Sequence, residues 1–344
     1  MIPQRLKLKL ISKLPGSLIV KLAGGTPLEV GGHTLAPMIQ YLAKQAEGLS
    51  SITEFTPEQA RAGMEARFAA LQSEIRTMRS TRELGIPTED GDELECRILT
   101  PYDVADPSPM IVYYYQGGCV LGGIDLAEPF CSMLAAETGC RVLMVDYRRA
   151  PEHKFPAAAE DAIAALDFVM QNTAGLDVDP ERVLVAGDSA GGGLAAVVCQ
   201  TMRAQRKPMP CAQVLIYPWL QALADENESY REHENAYPLT KAAMQWFNEL
   251  YLNTPEDADD IRVSPLLNED LAGLPQALIY TASFDPLRDE GEHYAKKLQA
   301  ANVQTEYTCH HHLSHSFTAF GGVVPEAMKA CLEIAGDIRR VVEN

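Results

Sequence analysis

From about residue 94 onward, the chain alternates short apolar runs with longer stretches of helical periodicity. Most of the runs are continuous and rich in Val, Ile, Leu and Tyr, which is typical of strands buried on both faces. Strand–helix alternation of this kind predicts an α/β protein with a mostly parallel sheet and helices on both sides. The runs are 94–99, 110–115, 141–147, 182–186, 213–217, 276–281 and 303–309, and the predicted helices are 127–138, 157–171, 190–206, 288–301 and 325–342.

Two regions lie outside this alternation. Residues 1–80 contain no convincing strand, and 57–80 predict a single helix in which apolar residues recur at helical spacing. Residues 220–262 are acidic and polar, with a helix predicted near 240–252. Because loops this long are usually functional, we expect both regions to form a lid over the end of the sheet, with a plain surface insertion as the alternative for the second. The predicted domains are a cap segment (1–80), a core (81–219 and 263–344) and a cap insertion (220–262).

The first 22 residues combine basic and apolar side chains. A basic start followed by an apolar stretch resembles a signal peptide, but further lysines and a proline interrupt the stretch. No run approaches the roughly 18–20 apolar residues of a membrane-spanning helix. An amphipathic segment that lies on the protein body, or on a membrane surface, fits the pattern better, and the sequence leaves these two locations open.

Charge and cysteine content exclude several classes of function. The chain carries 29 Lys and Arg against 47 Asp and Glu, a net charge of −18. Since phosphate binding depends on Lys and Arg, we expect no nucleic-acid partner. The eight cysteines are scattered and form no CxxC pair, so neither zinc nor redox spacing is present. Buried free thiols in a reducing compartment explain them most simply, and we therefore predict a cytoplasmic protein.

The sharpest local motif is a G-x-S-x-G with Ser189 at its centre. It follows the apolar run 182–186 and opens the predicted helix that begins near 190. A serine on a sharp strand-to-helix turn is exposed at the end of the sheet, provided that its neighbours are small. Ser189 is therefore the candidate nucleophile, with a glycine-rich turn as the alternative.

A serine nucleophile needs a base, and the base needs an orienting carboxylate. In the strand–turn–helix context of G-x-S-x-G, the acid and the base follow the serine along the chain, each after a later strand. Asp285 comes first after the run 276–281, directly before a proline that starts a helix. Asp289 would lie one turn into that helix, where we expect it to pair with Arg288 or to cap the helix. Asp285 is the candidate acid.

Four histidines compete for the role of base after the run 303–309. They are His310, His311, His312 and His315. Three consecutive histidines also suggest a metal site, but neighbours on an extended chain point to opposite faces. No nearby carboxylate or cysteine triplet completes such a site, so we expect no metal.

A glycine pair after the run 110–115 is a candidate oxyanion hole. Gly117 and Gly118 leave backbone N–H groups open to an incoming carbonyl oxygen. Together with the N–H of Ala190, they could bind the negative charge of a tetrahedral intermediate. A plain glycine turn is the alternative.

Taken together, these motifs resemble the hormone-sensitive-lipase-like carboxylesterases, the bacterial family IV of the α/β-hydrolase superfamily. The resemblance covers roughly residues 80–325. The family's base histidine is followed, after one small residue, by phenylalanine, which His315 satisfies and the other three histidines do not. The matching motifs are GDSAGG (187–192), DYRRAPEH (146–153), FPAA (155–158), YP (217–218), SPL (264–266), DPLRDEG (285–291) and HSF (315–317).

The resemblance implies a specific activity and architecture. It implies an α/β-hydrolase sheet of about eight strands with a helical cap, and a Ser189–His315–Asp285 triad. The implied reaction is hydrolysis of short- to medium-chain carboxylic esters, which are small-molecule substrates, without a cofactor. It also implies a homodimer through the last strand and its flanking helix.

The oxyanion loop departs from the family. The family reads His-Gly-Gly-Gly there, whereas this chain reads Gln116-Gly117-Gly118-Cys119. A glutamine amide can also donate and accept, so we expect a working but differently shaped hole. We also expect a thiol so close to the serine to make the protein sensitive to thiol reagents.

Two other classes of function stay open. One is a non-catalytic ligand-binding module on the same fold. The other is a related acyl-transfer reaction, such as amide hydrolysis, lactone opening or acyl exchange to an alcohol, because the same groups serve all of these.

Overall fold

The computed structural model of the chain describes residues 3–88, 91–224 and 227–343. The N-terminal elements are α1 (Gln4–Ile11), α2 (Gly16–Leu22), β1 (Glu29–Val30), β2 (His33–Thr34), α3 (Pro37–Ala46) and α4 (Pro57–Leu71). The elements that follow are β3 (Ser80–Pro87), β4 (Glu93–Thr100), β5 (Ser108–Tyr114), α5 (Ile124–Thr138), β6 (Arg141–Val145), α6 (Ala157–Gln171), β7 (Val178–Asp188), α7 (Ala190–Ala204), β8 (Ala212–Ile216), α8 (Glu228–Glu232), α9 (Lys241–Tyr251), β9 (Gln276–Phe284), α10 (Arg288–Ala300), β10 (Thr305–Ser314) and α11 (Pro325–Glu343).

One sheet of eight strands organises the core, in the order β10-β9-β8-β7-β5-β6-β4-β3. The pairs from β10 through β6 are parallel, whereas β4 runs antiparallel to both β6 and β3. Every residue of β5 and β8 is buried, as expected for continuous apolar strands covered on both faces. The predicted, mostly parallel sheet of about eight strands with flanking helices is confirmed.

The strand β3 and the end of α4 correct the prediction of one helix over 57–80. Helix α4 begins as expected, because Thr56 and Gln59 form a capping box and Pro57 occupies the first turn. It ends at Leu71, and Ile75, which looked like its next apolar contact, is 55% exposed. Strand β3 lies at the edge of the sheet with mostly exposed residues, so no apolar run marked it.

A short strand pair in the N-terminal region was also missed. Strands β1 and β2 are two residues each and form an antiparallel pair. The Ala36 N–H, just beyond β2, donates to the His312 carbonyl at 2.9 Å, so this region covers part of the edge strand β10. Pairs this short leave no periodic pattern that a sequence analysis can detect.

Both regions predicted as a lid contact the loop that follows β5. From α4, Arg61 donates to the Val120 carbonyl at 2.8 Å. From α9, the Phe247 ring lies where a side chain on Gly118 would otherwise be. The division into cap and core stays a prediction, as does the dimer through β10. Among the described residues, no helix is long and apolar enough to cross a membrane.

The side chain of His310 on β10 is held in an apolar environment. Its ring stacks on Tyr280 and meets Phe317 edge-on, with ring centroids 6.1 Å and 5.2 Å away. Its Nε2 is buried and makes no hydrogen bond within the described chain. Burial, with a smaller contribution from the neighbouring His311, lowers the pKa of His310 to about 4.

This burial predicts a loss of stability in acid. An unfolded chain protonates the imidazole near its ordinary pKa of 6.5, whereas the native state keeps it neutral down to about 4. Acidification between these values therefore favours the unfolded state, by about 3 kcal/mol at most. In the His310→Phe variant, the slope of the free energy of unfolding against pH in this window should decrease by the equivalent of up to one bound proton. Denaturant titrations at several pH values measure it.

The exposed His293 on α10 provides the control. The His293→Phe variant is measured in the same titrations as the matching substitution at an exposed position. An identical pH dependence in the His310→Phe variant and the wild type would contradict this account of the buried ring.

Candidate active site

Ser189 lies in the turn between β7 and α7 and has a left-handed backbone, with φ 55° and ψ −120°. A side chain on Gly187 would overlap the Gly191 carbonyl, and one on Gly191 would overlap the Tyr114 carbonyl. Only glycine therefore allows the strand and the helix to approach closely enough to form this turn. The strained turn places Ser189 at the N-terminus of α7, where developing negative charge is favoured.

The structure brings Ser189, His315 and Asp285 into one hydrogen-bonded chain. His315 Nε2 lies 2.9 Å from Ser189 Oγ, and its Nδ1 lies 2.8 Å from Asp285 Oδ2. Asp285 is fully buried, and its Oδ1 accepts from the Leu287 N–H at 2.9 Å. Since an ionised carboxylate only accepts, the proton of the neutral ring belongs on Nδ1, which leaves Nε2 free to accept from the serine.

Asp289, the second acid of the loop, has other partners. It accepts from the Ser229 N–H at 2.8 Å and pairs with Arg288 at 2.8 Å, as the sequence led us to expect. Burial alone would raise its pKa, but these two partners outweigh burial and lower it. Asp289 therefore ties α10 to α8 rather than to His315.

The consecutive histidines on β10 also lie apart from the serine. His311 stacks on His33 with ring centroids 3.9 Å apart and shares a hydrogen bond of 2.9 Å with Ser283. His312 Nδ1 lies 2.8 Å from the Thr34 carbonyl. In the part of the chain that the structure describes, no group of three or more His, Cys, Asp or Glu could hold a metal ion.

The glycine pair after β5 adopts backbone conformations that other residues avoid, with φ 137° at Gly117 and 62° at Gly118. The loop closes on itself, because the Leu121 N–H donates to the Gly117 carbonyl at 2.8 Å. The N–H groups of Gly117 and Gly118 have no hydrogen-bond partner among residues 3–88, 91–224 and 227–343. With the first N–H of α7, from Ala190, they form a set of donors suited to an oxyanion.

Gln116 anchors this loop to the rest of the site. Its Nε2 donates to Asp188 at 2.8 Å and to Thr318 at 3.2 Å, while its Oε1 accepts from Ser316 at 2.5 Å. The amide therefore joins the oxyanion loop both to the serine turn and to the segment after His315. Both capacities of the glutamine, as donor and as acceptor, are used.

Asp188 is a site residue that the sequence analysis missed. Its buried carboxylate accepts from Gln116, Tyr113 at 2.6 Å, Tyr217 at 2.9 Å and Thr318 at 2.9 Å. Burial raises its pKa, and the hydroxyl donors oppose that shift. Its position directly before Ser189 was the available signal, but that position alone does not reveal its partners.

The environment of the Cys119 thiol does not support the expected reactivity toward thiol reagents. The side chain is 3% exposed, and burial raises its pKa to about 12 despite contact with Tyr251. A thiol that stays protonated is a weak nucleophile, so the expected sensitivity to thiol reagents does not follow from this environment. Its backbone is left-handed, with φ 57°, a conformation that explains why glycine is usual here.

Comparison with known proteins identifies the family. A family model described as the α/β-hydrolase fold matches residues 111–319. The chain is 37% identical to the carboxylic ester hydrolase LipN of Mycobacterium tuberculosis over 86% of this chain and 80% of that protein. The chain belongs to the α/β-hydrolase family. The resemblance to hormone-sensitive-lipase-like carboxylesterases, stated above from the motifs, is confirmed.

Further relatives of this α/β hydrolase agree in sequence and in structure. It is 34% identical to the ethyl acetate hydrolase of Pseudomonas putida, over 71% of this chain and 78% of that protein. Its structure matches that of the hyperthermophilic esterase of the archaeon Pyrobaculum calidifontis with a TM-score of 0.84 and 35% identity. That match covers 89% of this chain and 98% of the other.

The contacts of Gln116 predict a role in the reaction step rather than in substrate binding. Gln116→Ala removes the link between the oxyanion loop and Asp188, so we expect kcat on a soluble short-chain ester to fall about 10- to 100-fold with little change in KM. Gln116→His should keep most of the activity, because an imidazole can still donate to the carboxylate. Steady-state kinetics measure both.

A matched control separates this effect from a loss of fold. Gln299→Ala, on the exposed face of α10, should leave kcat unchanged. The thermal unfolding midpoint of each variant must show a folded protein at the assay temperature. A folded Gln116→Ala variant with wild-type kcat would contradict the proposed link.

Proposed function

We propose that this α/β hydrolase is a serine carboxylesterase that hydrolyses short- to medium-chain carboxylic esters. The observation that carries the proposal is the hydrogen-bonded chain from Asp285 through His315 to Ser189, with distances of 2.8 Å and 2.9 Å. The names of the relatives support the same substrate class, including the ethyl acetate hydrolase for short esters.

In the first half of the proposed reaction, Ser189 Oγ attacks the ester carbonyl carbon while His315 Nε2 takes the serine proton. The carbonyl oxygen becomes an oxyanion, which the N–H groups of Gly117, Gly118 and Ala190 stabilise. His315 then gives its proton to the leaving alcohol as the carbon–oxygen bond breaks. An acyl group remains on the serine.

In the second half, water replaces the alcohol. His315 takes a proton from the water as its oxygen attacks the acyl carbon, and a second oxyanion occupies the same N–H groups. The bond to Ser189 Oγ breaks, the serine recovers its proton from His315, and the carboxylic acid leaves. Asp285 holds the imidazole in the required tautomer and stabilises the imidazolium in both halves.

The related acyl-transfer reactions use the same groups, so product analysis must separate them from ester hydrolysis. Hydrolysis in the presence of competing alcohols should yield free acid as the main product. A new ester as the main product would assign the protein to acyl exchange instead. Parallel assays with amides and lactones test the remaining reactions of this type.

The cap, the oligomeric state and the location belong to the same proposal. We propose that residues 1–80 and 220–262 form a cap beside the oxyanion loop, supported by the contacts of Arg61 and Phe247 with that loop. We propose a homodimer through the edge strand β10 and its flanking helix.

A cytoplasmic location is supported by eight cysteines that are all free thiols.

A chain-length series tests the proposed function. Wild-type protein and Ser189→Ala are assayed on chromogenic esters from acetyl to palmitoyl. We expect a rate that peaks at short to medium chains and falls by at least about a thousandfold in Ser189→Ala, since the nucleophile is lost. Ser17→Ala, which changes an exposed serine on α2, should retain the wild-type rate.

Two outcomes would contradict the proposal. Undiminished turnover in a folded Ser189→Ala variant would show that another group is the nucleophile. A folded wild-type protein that binds esters without turnover on any chain would favour a non-catalytic ligand-binding module.

A further inference from the structure

Helices α1 and α2 and the turn between them expose a row of leucines that recur at four-residue intervals in the sequence. Residues four apart on one helix share a face, so Leu6 and Leu10 lie together on α1 and Leu18 and Leu22 lie together on α2, whereas Leu14 lies in the turn. Large apolar side chains exposed together, rather than singly, mark interaction surfaces. The row consists of Leu6 (49% exposed), Leu10 (52%), Leu14 (37%), Leu18 (41%) and Leu22 (50%).

These leucines are not needed to attach the helices to the body. Helix α1 buries Leu8, which projects away from Leu6 and Leu10 on the helix, and α2 buries Ile19 and Val20. Arg5 also donates to the Gln72 carbonyl at 3.2 Å. Helix α1 therefore packs Leu8 on the protein and leaves Leu6 and Leu10 half exposed, and α2 leaves Leu18 and Leu22 half exposed beside its buried residues.

Charge separates this segment from the rest of the chain. Residues 1–28 contain five basic and no acidic residues, whereas the whole chain carries −18, so the remainder carries −23. Arg5 and Lys9 lie within ion-pair distance of Glu74. The other three, Lys7, Lys13 and Lys21, are exposed and have no ion pair among the described residues. We name the five leucines and these three lysines the leucine–lysine face.

The combination of apolar and cationic side chains indicates which kind of partner this face binds. The free energy falls when exposed leucines enter the boundary between lipid headgroups and acyl chains, and it falls further when lysines lie beside anionic headgroups. A second copy of this chain, docked symmetrically, would bring lysines against lysines and is disfavoured. We propose that the leucine–lysine face docks the protein on a membrane surface that contains anionic phospholipids.

The structure supports attachment to the surface rather than insertion across the membrane. Helices α1 and α2 have eight and seven residues, which is far short of the roughly 20 needed to span a bilayer. The charge separation favours an orientation with residues 1–28 toward an anionic surface, because this segment is basic and the remainder of the chain is acidic. The proposal concerns binding and holds whatever reaction Ser189 catalyses.

Vesicle flotation with the full-length protein tests the proposal. The probes are vesicles of phosphatidylglycerol and phosphatidylcholine in equal parts, and vesicles of phosphatidylcholine alone. The wild type should float with the mixed vesicles, and high salt should weaken this binding. One lysine near an anionic surface contributes about fivefold in the partition coefficient, so reversing three should lower it at least about 100-fold.

Two pairs of variants separate this face from general surface properties. The charge variant is Lys7→Glu, Lys13→Glu, Lys21→Glu, and its control makes the same charge change elsewhere, at Arg206→Glu, Lys296→Glu, Lys329→Glu. The apolar variant is Leu6→Gln, Leu10→Gln, Leu18→Gln, Leu22→Gln, and its control changes exposed leucines elsewhere, at Leu49→Gln, Leu223→Gln, Leu267→Gln, Leu332→Gln. Glutamine preserves helix propensity. Thermal unfolding checks the fold of each variant.

The proposal expects both face variants to lose vesicle binding at least about 100-fold while both controls bind within about twofold of the wild type. Three results would overturn it. These are no flotation of the wild type with mixed vesicles, equal loss in the control variants, or sedimentation showing that the apolar variant dissociates an oligomer. The last result would assign the face to a second copy of the chain.

Discussion

The buried carboxylate of Asp188 joins the three parts of the chain that the proposed reaction needs. It accepts hydrogen bonds from Tyr113 at the end of β5, Gln116 in the oxyanion loop, Tyr217 after β8 and Thr318 beyond the base. A buried charge without partners would cost several kcal/mol. Four donors offset this cost, and the donors are thereby fixed relative to one another. The relative positions of serine, base and oxyanion donors depend on this network.

The departures of this chain from its family are local and mutually compatible. Gln116 replaces a histidine and satisfies both Asp188 and Ser316, so the loop keeps its anchor. Cys119 stands where the family has a glycine and adopts a left-handed backbone, and its thiol is buried with a raised pKa. The two glycines between these positions are kept, and their N–H groups have no hydrogen-bond partner in the part of the chain that the structure describes. The altered loop therefore retains the backbone donors that the proposed reaction requires.

Much of the fold could be predicted because continuous apolar runs mark strands buried on both faces, whereas the mostly exposed edge strand β3 left no such signal. Ser189 and Asp285 were predicted from their places at strand ends. The choice of His315 among four histidines needed the family resemblance, because chain order alone does not show which ring reaches the serine. The partners of Asp188 could not be predicted, since Thr318 lies 130 residues away in the sequence.

Detection of an acyl-enzyme would show whether this geometry performs covalent acyl transfer on Ser189. The protein is mixed with a short-chain chromogenic ester, quenched in acid before steady state, digested and analysed by mass spectrometry. We expect an acyl group on the peptide that contains Ser189, formed at least as fast as the ester turns over. Turnover without acylation of Ser189, or with the acyl group on Cys119 instead, would contradict it.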